Sequence, residues 1–101
     1  MILHINTKNQ KIIEVSLKKN GKTVKNLSEE NEYGSQVLLP LIEKLLKSQK
    51  LEFKDLKEIE VEVGPGSFTG LRIGVSVANA LGFALGIMVN GKKMETELEY
   101  N

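Results

Sequence analysis

The chain has 101 residues, 41% of them hydrophobic, and its 14 basic and 13 acidic side chains give a formal net charge of +1. This length suits one domain with one core, and the near-neutral balance argues against a basic face for nucleic acid. There is no cysteine, one histidine (His4) and one aspartate (Asp55). Because metal sites and acid–base catalysis draw heavily on these residue types, we predict no metal, no cofactor and no tight nucleic-acid binding.

The N-terminal third predicts a three-stranded meander. Residues 2–6 form a short strand, and residues 11–18 alternate between apolar and polar side chains, which is typical of a half-buried strand. Asn20-Gly21 is a two-residue hairpin turn, because both positions tolerate positive φ. Residues 22–28 then return as the partner strand.

The middle of the chain predicts a helix and a one-sided strand. Residues 35–50 carry one apolar stripe at helical spacing, and Pro40 predicts that the helix starts late or bends there. In the strand over 58–63, Ile59, Val61 and Val63 alternate with Glu58, Glu60 and Glu62. A strand covered on both faces would be apolar throughout. We therefore predict two helices on one face of the sheet and water on the other, with the three glutamates exposed.

The rest of the chain predicts four more elements: a second helix over 68–85, a strand over 86–89, a turn at Asn90-Gly91 and a strand over 92–100. The order indicates an α/β domain with a mixed sheet, and we predict that residues 1–101 form one domain. Arg72 and Asn79 interrupt the second helix, which is marginal for the ~20 residues of a membrane span. We therefore predict no membrane span, and the N-terminus shows no secretory signal.

Within the second helix, small residues recur every four positions and form a small-residue ridge: Gly70, Gly74, Ala78, Gly82 and Gly86. A helical glycine costs roughly 1 kcal/mol relative to alanine, so the ridge indicates close packing against another element. We predict that it packs against the first helix and also against a partner protein. The predicted partner contacts are Gly70, Leu71, Gly74, Ala78 and Gly82, while the opposite side, with Leu71, Val75, Leu81 and Leu85, is expected on the sheet.

The loop before this helix allows two interpretations. A helix N-terminus favours an anion, and such a site would use Gly64, Pro65, Gly66, Ser67, Thr69 and Arg72. The loop lacks the P-loop lysine and the dinucleotide-binding spacing. We therefore favour a tight strand-to-helix turn in which Ser67 caps the helix. His4 is expected to have a structural role.

The run Gly-Pro-Gly-Ser-Phe-Thr-Gly-Leu-Arg-Ile-Gly at 64–74 closely resembles the signature of the TsaB family, also called YeaZ, of bacterial tRNA threonylcarbamoyladenosine biosynthesis proteins. The resemblance covers about residues 1–90. It implies half of an actin-like ATPase (ribonuclease H-like) fold. It also implies a non-catalytic, cytoplasmic subunit that contacts the homologous TsaD subunit, or a second copy, through the helix at 68–85. TsaD performs the threonylcarbamoyl transfer with a metal and ATP.

The chain also departs from that family. It ends where the second half would begin, and Asn6-Thr7 stands where active superfamily members carry an aspartate. Tyr33-Gly34 replaces a histidine usual before the first helix. We therefore expect a TsaB-like N-terminal domain that is no enzyme alone and lacks tight ATP binding, and the glutamate-lined sheet face suggests that the short form is native. The alternatives are a nucleotide- or phosphate-binding domain using the Gly64–Ser67 loop, and a self-associating domain with another role.

Overall fold

The structure, a computed structural model, describes residues 1–9, 11–30 and 35–92. Its strands and helices follow the predicted order: β1 (Ile2–Asn6), β2 (Ile12–Lys19), β3 (Lys22–Glu30), α1 (Ser35–Ser48), β4 (Glu58–Val61), α2 (Phe68–Leu85) and β5 (Met88–Val89), with a short 3-10 turn at Phe53–Asp55. The strand predicted over 92–100 lies outside the described residues except for Lys92, which forms a bridge to Val89. Tyr33-Gly34 also lies outside them.

The five strands form one mixed sheet in the order β3-β2-β1-β4-β5. β1 is central: it pairs antiparallel with β2 and parallel with β4, so that Leu3 lies between Leu17 and Ile59. β4 in turn pairs parallel with β5. Parallel neighbours require crossover connections, and α1 and α2 provide them.

One hydrophobic core joins the sheet to both helices. It contains alternate residues of the inner strands, five residues of α1 and two of α2, which places both helices on the same face: Leu3, Ile5, Ile13, Val15, Leu17, Leu38, Leu41, Ile42, Leu45, Leu46, Ile59, Val61, Val75 and Ala78. Side chains at positions i and i+2 of a strand share a face, and the apolar stripe of α1 supplies the helix side. The predicted arrangement of two helices on one face is confirmed.

The other face of the sheet is polar, as predicted. Glu58, Glu60 and Glu62 lie opposite the core side chains Ile59 and Val61. None of the three glutamates is buried, although all are half-buried rather than fully exposed. Glu60 and Glu62 form ion pairs along this face of the sheet, described below.

Both Asn-Gly turns form as predicted. Asn20 and Gly21 have φ of 53° and 78°, and Asn90 and Gly91 have φ of 52° and 75°, which is the left-handed conformation that this turn type requires. Pro40, in contrast, does not delay α1, which begins at Ser35. Because Pro40 is exposed and only the sixth residue of the helix, the hydrogen bond it cannot donate is lost near an exposed end.

By length and composition alone, α2 could cross a membrane: its 18 residues have a mean hydropathy of 1.4, and 33% of them are buried inside the domain. The core helix of a globular domain meets the same criteria of length and composition. Its buried residues pack on the sheet, as those of a core helix do.

Candidate functional site: the outer face of α2

The Gly64–Ser67 loop joins β4 to α2 as a tight turn and caps the helix. The Ser67 hydroxyl accepts a hydrogen bond from the Gly70 N–H at 3.4 Å, and the Ser67 N–H donates to the Lys8 carbonyl at 3.0 Å. A Cβ on Gly66 would lie 3.0 Å from Lys8 Cβ, so the loop fits closely against the segment after β1. The predicted N-cap is confirmed.

The residues named for an anion site do not all lie together on the surface. Pro65, Gly66, Thr69 and Arg72 are exposed, whereas Gly64 and Ser67 are half-buried. One N–H of the first helical turn, that of Gly70, is already bonded to Ser67. The nucleotide or phosphate interpretation stays a prediction.

The five predicted partner contacts in α2 are all buried within the domain: Gly70, Leu71, Gly74, Ala78 and Gly82. A residue covered by its own chain cannot also contact a partner. The prediction that the small-residue ridge faces a partner is therefore wrong for this fold. Gly86, the last residue of the ridge, ends the helix in the left-handed conformation with φ 68°.

Three glycines of the ridge, Gly70, Gly74 and Gly82, lie against the sheet and the residue that follows β1. A Cβ on Gly70 would collide with the Thr7 carbonyl oxygen, and one on Gly74 would collide with the Thr7 hydroxyl; Thr7 itself is fully buried. A Cβ on Gly82 would lie 2.5 Å from Val89 Cγ2. The missing side chains thus let the α2 backbone approach the end of β1 and β5 closely.

The side expected on the sheet is part of the same buried face. Leu71 and Val75 are buried, while Leu81 and Leu85 are half-buried against the core. Successive residues of a helix are about 100° apart, so the row that starts at Leu71 is the neighbour of the ridge rather than its opposite. The small-residue ridge and the row that starts at Leu71 therefore both lie on the buried face of α2.

The opposite side of α2 is exposed and mainly apolar or small. We call it the outer stripe: Phe68, Thr69, Arg72, Ser76, Ala80 and Phe83. Phe83 is 91% exposed and Phe68 is 49% exposed. Exposed aromatic side chains on a mainly uncharged helix face indicate a contact surface.

A shallow groove runs along the first half of the outer stripe. Its two walls are the row Phe68, Arg72 and Ser76 and the row Thr69, Ile73 and Val77. The Arg72 guanidinium lies over the Phe68 ring, 5.7 Å from its centroid, at a cation–π distance. The groove therefore combines apolar walls with one positive charge.

Sequence reasoning named Thr69 and Arg72 but missed Phe68, Ser76 and Phe83. The helical spacing could have identified these three residues. Once the ridge at Gly70 and Gly74 is placed against the sheet, the residues two positions later, Arg72 and Ser76, must face outward.

The polar face of the sheet carries a second cluster, centred on His4. Its Nδ1 lies 3.1 Å from a Glu60 oxygen and its Nε2 lies 3.1 Å from a Glu62 oxygen. Lys18 lies 3.1 Å from Glu60, and Lys8 lies 3.3 Å from Glu62. Hydrogen bonds from His4, and then from Lys18, lower the pKa of Glu60. The predicted structural role of His4 fits this position, since both ring nitrogens are engaged.

Replacing Glu60 by glutamine is expected to destabilise the protein at neutral pH and to cost progressively less in acid. Because the pKa of Glu60 is lowered on folding, its carboxylate stabilises the fold above the ordinary value of 4.5. That contribution disappears as the pH falls through the lowered value. Urea unfolding of both proteins across this range measures the difference.

Glu58→Gln is the matched control for this experiment, because Glu58 lies on the same strand face and forms no ion pair with another described residue. Its effect is expected to be small and independent of pH. An equal, pH-independent loss in both variants would contradict the role assigned to Glu60.

The chain's single aspartate also has a local structural role. The Asp55 carboxylate accepts a hydrogen bond from the Glu52 N–H at 2.8 Å, which closes the 3-10 turn at Phe53–Asp55. Among the described residues, no three His, Cys, Asp or Glu side chains are arranged to hold a metal ion.

Comparison with known proteins places this fold in a family. The model of the TsaD family, described as tRNA N6-adenosine threonylcarbamoyltransferase, matches residues 10–91. The chain belongs to this family. Within it, the chain is TsaB-like. It is 41% identical over 54 residues to the tRNA threonylcarbamoyladenosine biosynthesis protein TsaB of Buchnera aphidicola. It is 40% identical over 52 residues to TsaB of Bacillus subtilis.

The solved structure of YeaZ from Pseudomonas aeruginosa has the same architecture. It superposes with a TM-score of 0.78 at 31% identity, over 87% of this chain and 42% of that chain. The matched segments cover 54% and 52% of this chain but only 26% and 23% of the two TsaB proteins, so the chain spans less than half the length of these relatives. The fold is thus a TsaB-like half of the actin-like, ribonuclease H-like architecture, and the resemblance first based on residues 64–74 is confirmed.

Proposed function

We propose that the chain is a non-catalytic, protein-binding subunit that supports threonylcarbamoyladenosine modification of tRNA in the cytoplasm. The observation that carries this proposal is the outer stripe of α2, an exposed helix face with two aromatic side chains and a single charge, on a TsaB-like fold. The small-residue ridge holds α2 against the rest of the domain, and the outer stripe remains available for a TsaD-like subunit or for a second copy of the chain.

The only histidine and the only aspartate of the chain both have structural contacts, which supports a binding role rather than a catalytic one. His4 is held between Glu60 and Glu62 on the sheet face away from the helices. Asp55 closes a local turn, and Asn6 stands where the resemblance implies an aspartate in active superfamily members. A protein that contributes a surface rather than a reaction centre needs none of these groups for chemistry.

The proposal is tested by deleting the gene in the source organism and measuring threonylcarbamoyladenosine in total tRNA by liquid chromatography and mass spectrometry. The modified nucleoside is expected to fall and to recover when the wild-type chain is supplied. Phe83→Asp, which places a charge on the outer stripe without touching the core, is expected to restore it poorly. An unchanged level in the deletion strain would refute the proposal.

A further inference from the structure

Two asparagines of the chain are followed by glycine, Asn20 and Asn90, and both pairs form the same kind of turn. An asparagine before glycine is especially reactive, because glycine has no side chain to shield its backbone nitrogen and leaves the backbone free to bend. That nitrogen attacks the side-chain amide carbon of the asparagine. The two turns have nearly equal φ, 53° and 78° against 52° and 75°, so their backbone conformation does not distinguish them.

The hydrogen bonds of Asn90 do distinguish the two turns. The Asn90 side chain accepts a hydrogen bond from the Val61 N–H at 2.8 Å and donates one to the Val61 carbonyl at 3.0 Å. The Asn90 N–H also donates to the Ile59 carbonyl at 2.8 Å. For the amide carbon to meet the Gly91 nitrogen, the side chain must turn back on its own backbone and break both bonds to Val61. Reaction at Asn90 therefore requires the end of the β4–β5 pairing to open first.

Asn20 is not held in this way. It is exposed, and its side chain takes part in none of the hydrogen bonds among the residues that the structure describes. The last pair of the β2–β3 hairpin is Lys19 with Lys22, and both are exposed. Like charges directly opposite each other on two strands are unfavourable. The tip of this hairpin therefore opens at a lower cost in free energy than the end of the β4–β5 pairing.

The two lysines beside the turn also favour the reaction itself. Negative charge develops on the Gly21 nitrogen as it loses its proton, and on the Asn20 amide oxygen as that nitrogen attacks. Lys19 and Lys22 are the residues directly before and after the turn. A positive charge placed beside a developing negative charge lowers the barrier of a reaction.

We infer that Asn20 is a modification site at which the chain deamidates without an enzyme, whereas Asn90 is protected by its bonds to Val61. The Gly21 nitrogen gives its proton to a base of the solvent and forms a bond to the Asn20 Cγ. The C–N bond of the side-chain amide then breaks, and the nitrogen takes up a proton from the solvent and leaves as ammonia. Water opens the resulting succinimide ring at either carbonyl, which yields aspartate or isoaspartate.

The product differs from the original chain in charge and in backbone length. A carboxylate replaces a neutral amide between Lys19 and Lys22, and isoaspartate adds one methylene group to the backbone of a two-residue turn. Because the turn fixes the register of a hairpin, the longer form is expected to loosen the tip of β2–β3. Isoaspartate is also the group that protein isoaspartyl methyltransferases methylate, which provides a specific readout.

The test incubates the purified chain at mildly alkaline pH and follows both sites by proteolysis at glutamate and mass spectrometry. Electron-transfer fragmentation distinguishes isoaspartate from aspartate, and methylation by a purified isoaspartyl methyltransferase measures isoaspartate independently. In the folded chain, Asn20 is expected to react roughly 10-fold or more faster than Asn90, because two further hydrogen bonds must break at Asn90. In concentrated urea, where both turns are open, the two sites are expected to react at similar rates.

A pair of double variants tests the effect of the lysines. Lys19→Gln with Lys22→Gln is expected to slow the reaction of Asn20 roughly 3-fold or more, since two nearby positive charges are removed. Lys44→Gln with Lys57→Gln removes the same charge from exposed positions on α1 and before β4, and is expected to leave the rate unchanged. Circular dichroism shows that both variants are folded.

Two results would overturn the inference: equal rates at Asn20 and Asn90 in the folded chain, and reaction of Asn20 in urea only. Isoaspartate confined to the β2–β3 turn of the folded chain, together with loss of the difference in urea, would support it. Equal rates in the two double variants would overturn the part assigned to Lys19 and Lys22.

Discussion

Replacing Gly74 by leucine is expected to lower the free energy of unfolding by about 3 kcal/mol or more. A side chain at this position collides with Thr7, which is fully buried at the end of β1, so either the strand or the helix must move. Overpacking a well-packed site costs about 1–3 kcal/mol and occasionally more, and leucine adds several atoms where even a Cβ does not fit. For a domain of this size the melting temperature should fall by more than about 12 °C.

Ala80→Leu is the matched control for Gly74→Leu. Ala80 lies on the same helix but on the exposed outer stripe, where substitutions usually change stability by less than about 0.5 kcal/mol. Circular dichroism melts of the two variants and of the wild type distinguish the two sides of α2. A Gly74→Leu protein that melts like the wild type would contradict the inward placement of the ridge.

Replacing Asn90 by alanine is expected to cost about 2–4 kcal/mol, more than the loss of a turn residue alone. The Asn90 side chain accepts a hydrogen bond from the Val61 N–H at 2.8 Å and donates one to the Val61 carbonyl at 3.0 Å. The Asn90 N–H also donates to the Ile59 carbonyl at 2.8 Å. The amide thus extends the β4–β5 ladder by one pair, and its removal leaves two backbone groups at the sheet edge without partners.

Asn20→Ala provides a close control for Asn90→Ala. Both asparagines start an Asn-Gly turn, with φ of 53° and 52°, so alanine incurs the same left-handed backbone cost of about 1–2 kcal/mol at each position. Asn20, however, is exposed. The difference between the two variants in urea unfolding reports the side-chain hydrogen bonds to Val61. Equal losses would mean that those bonds contribute nothing to stability.

Some of this protein follows from local rules, and there the sequence predicted the structure well. The alternation in residues 11–18, the Asn20-Gly21 turn and the Ser67 cap depend on residues close together in the chain. β1 and α2 have the predicted bounds, and α1 differs only at its end, which falls at Ser48 rather than at residue 50. Period, turn chemistry and capping are encoded within a few residues, so no tertiary information was needed.

The orientation of α2 was decided only by the tertiary structure. The helix is apolar or small on nearly every side, so its periodicity does not say which face turns inward. From the sequence, Gly74 could face either a partner or the sheet. In the structure it faces the sheet, because the helix backbone lies close to Thr7 and Val89. That choice leaves Phe68, Arg72 and Phe83 on the surface, and thereby determines which residues form the candidate site.

The pairs that join distant strands were likewise beyond sequence reasoning. His4 meets Glu60, 56 positions away, and Asn90 meets Val61, 29 positions away, because the parallel pairing of β1, β4 and β5 sets these residues side by side. The sequence by itself determined the elements, the polar face of the sheet and the family signature at 64–74. Which surface of α2 is free to bind was left to the packing, since a glycine indicates that something lies close but not what it is.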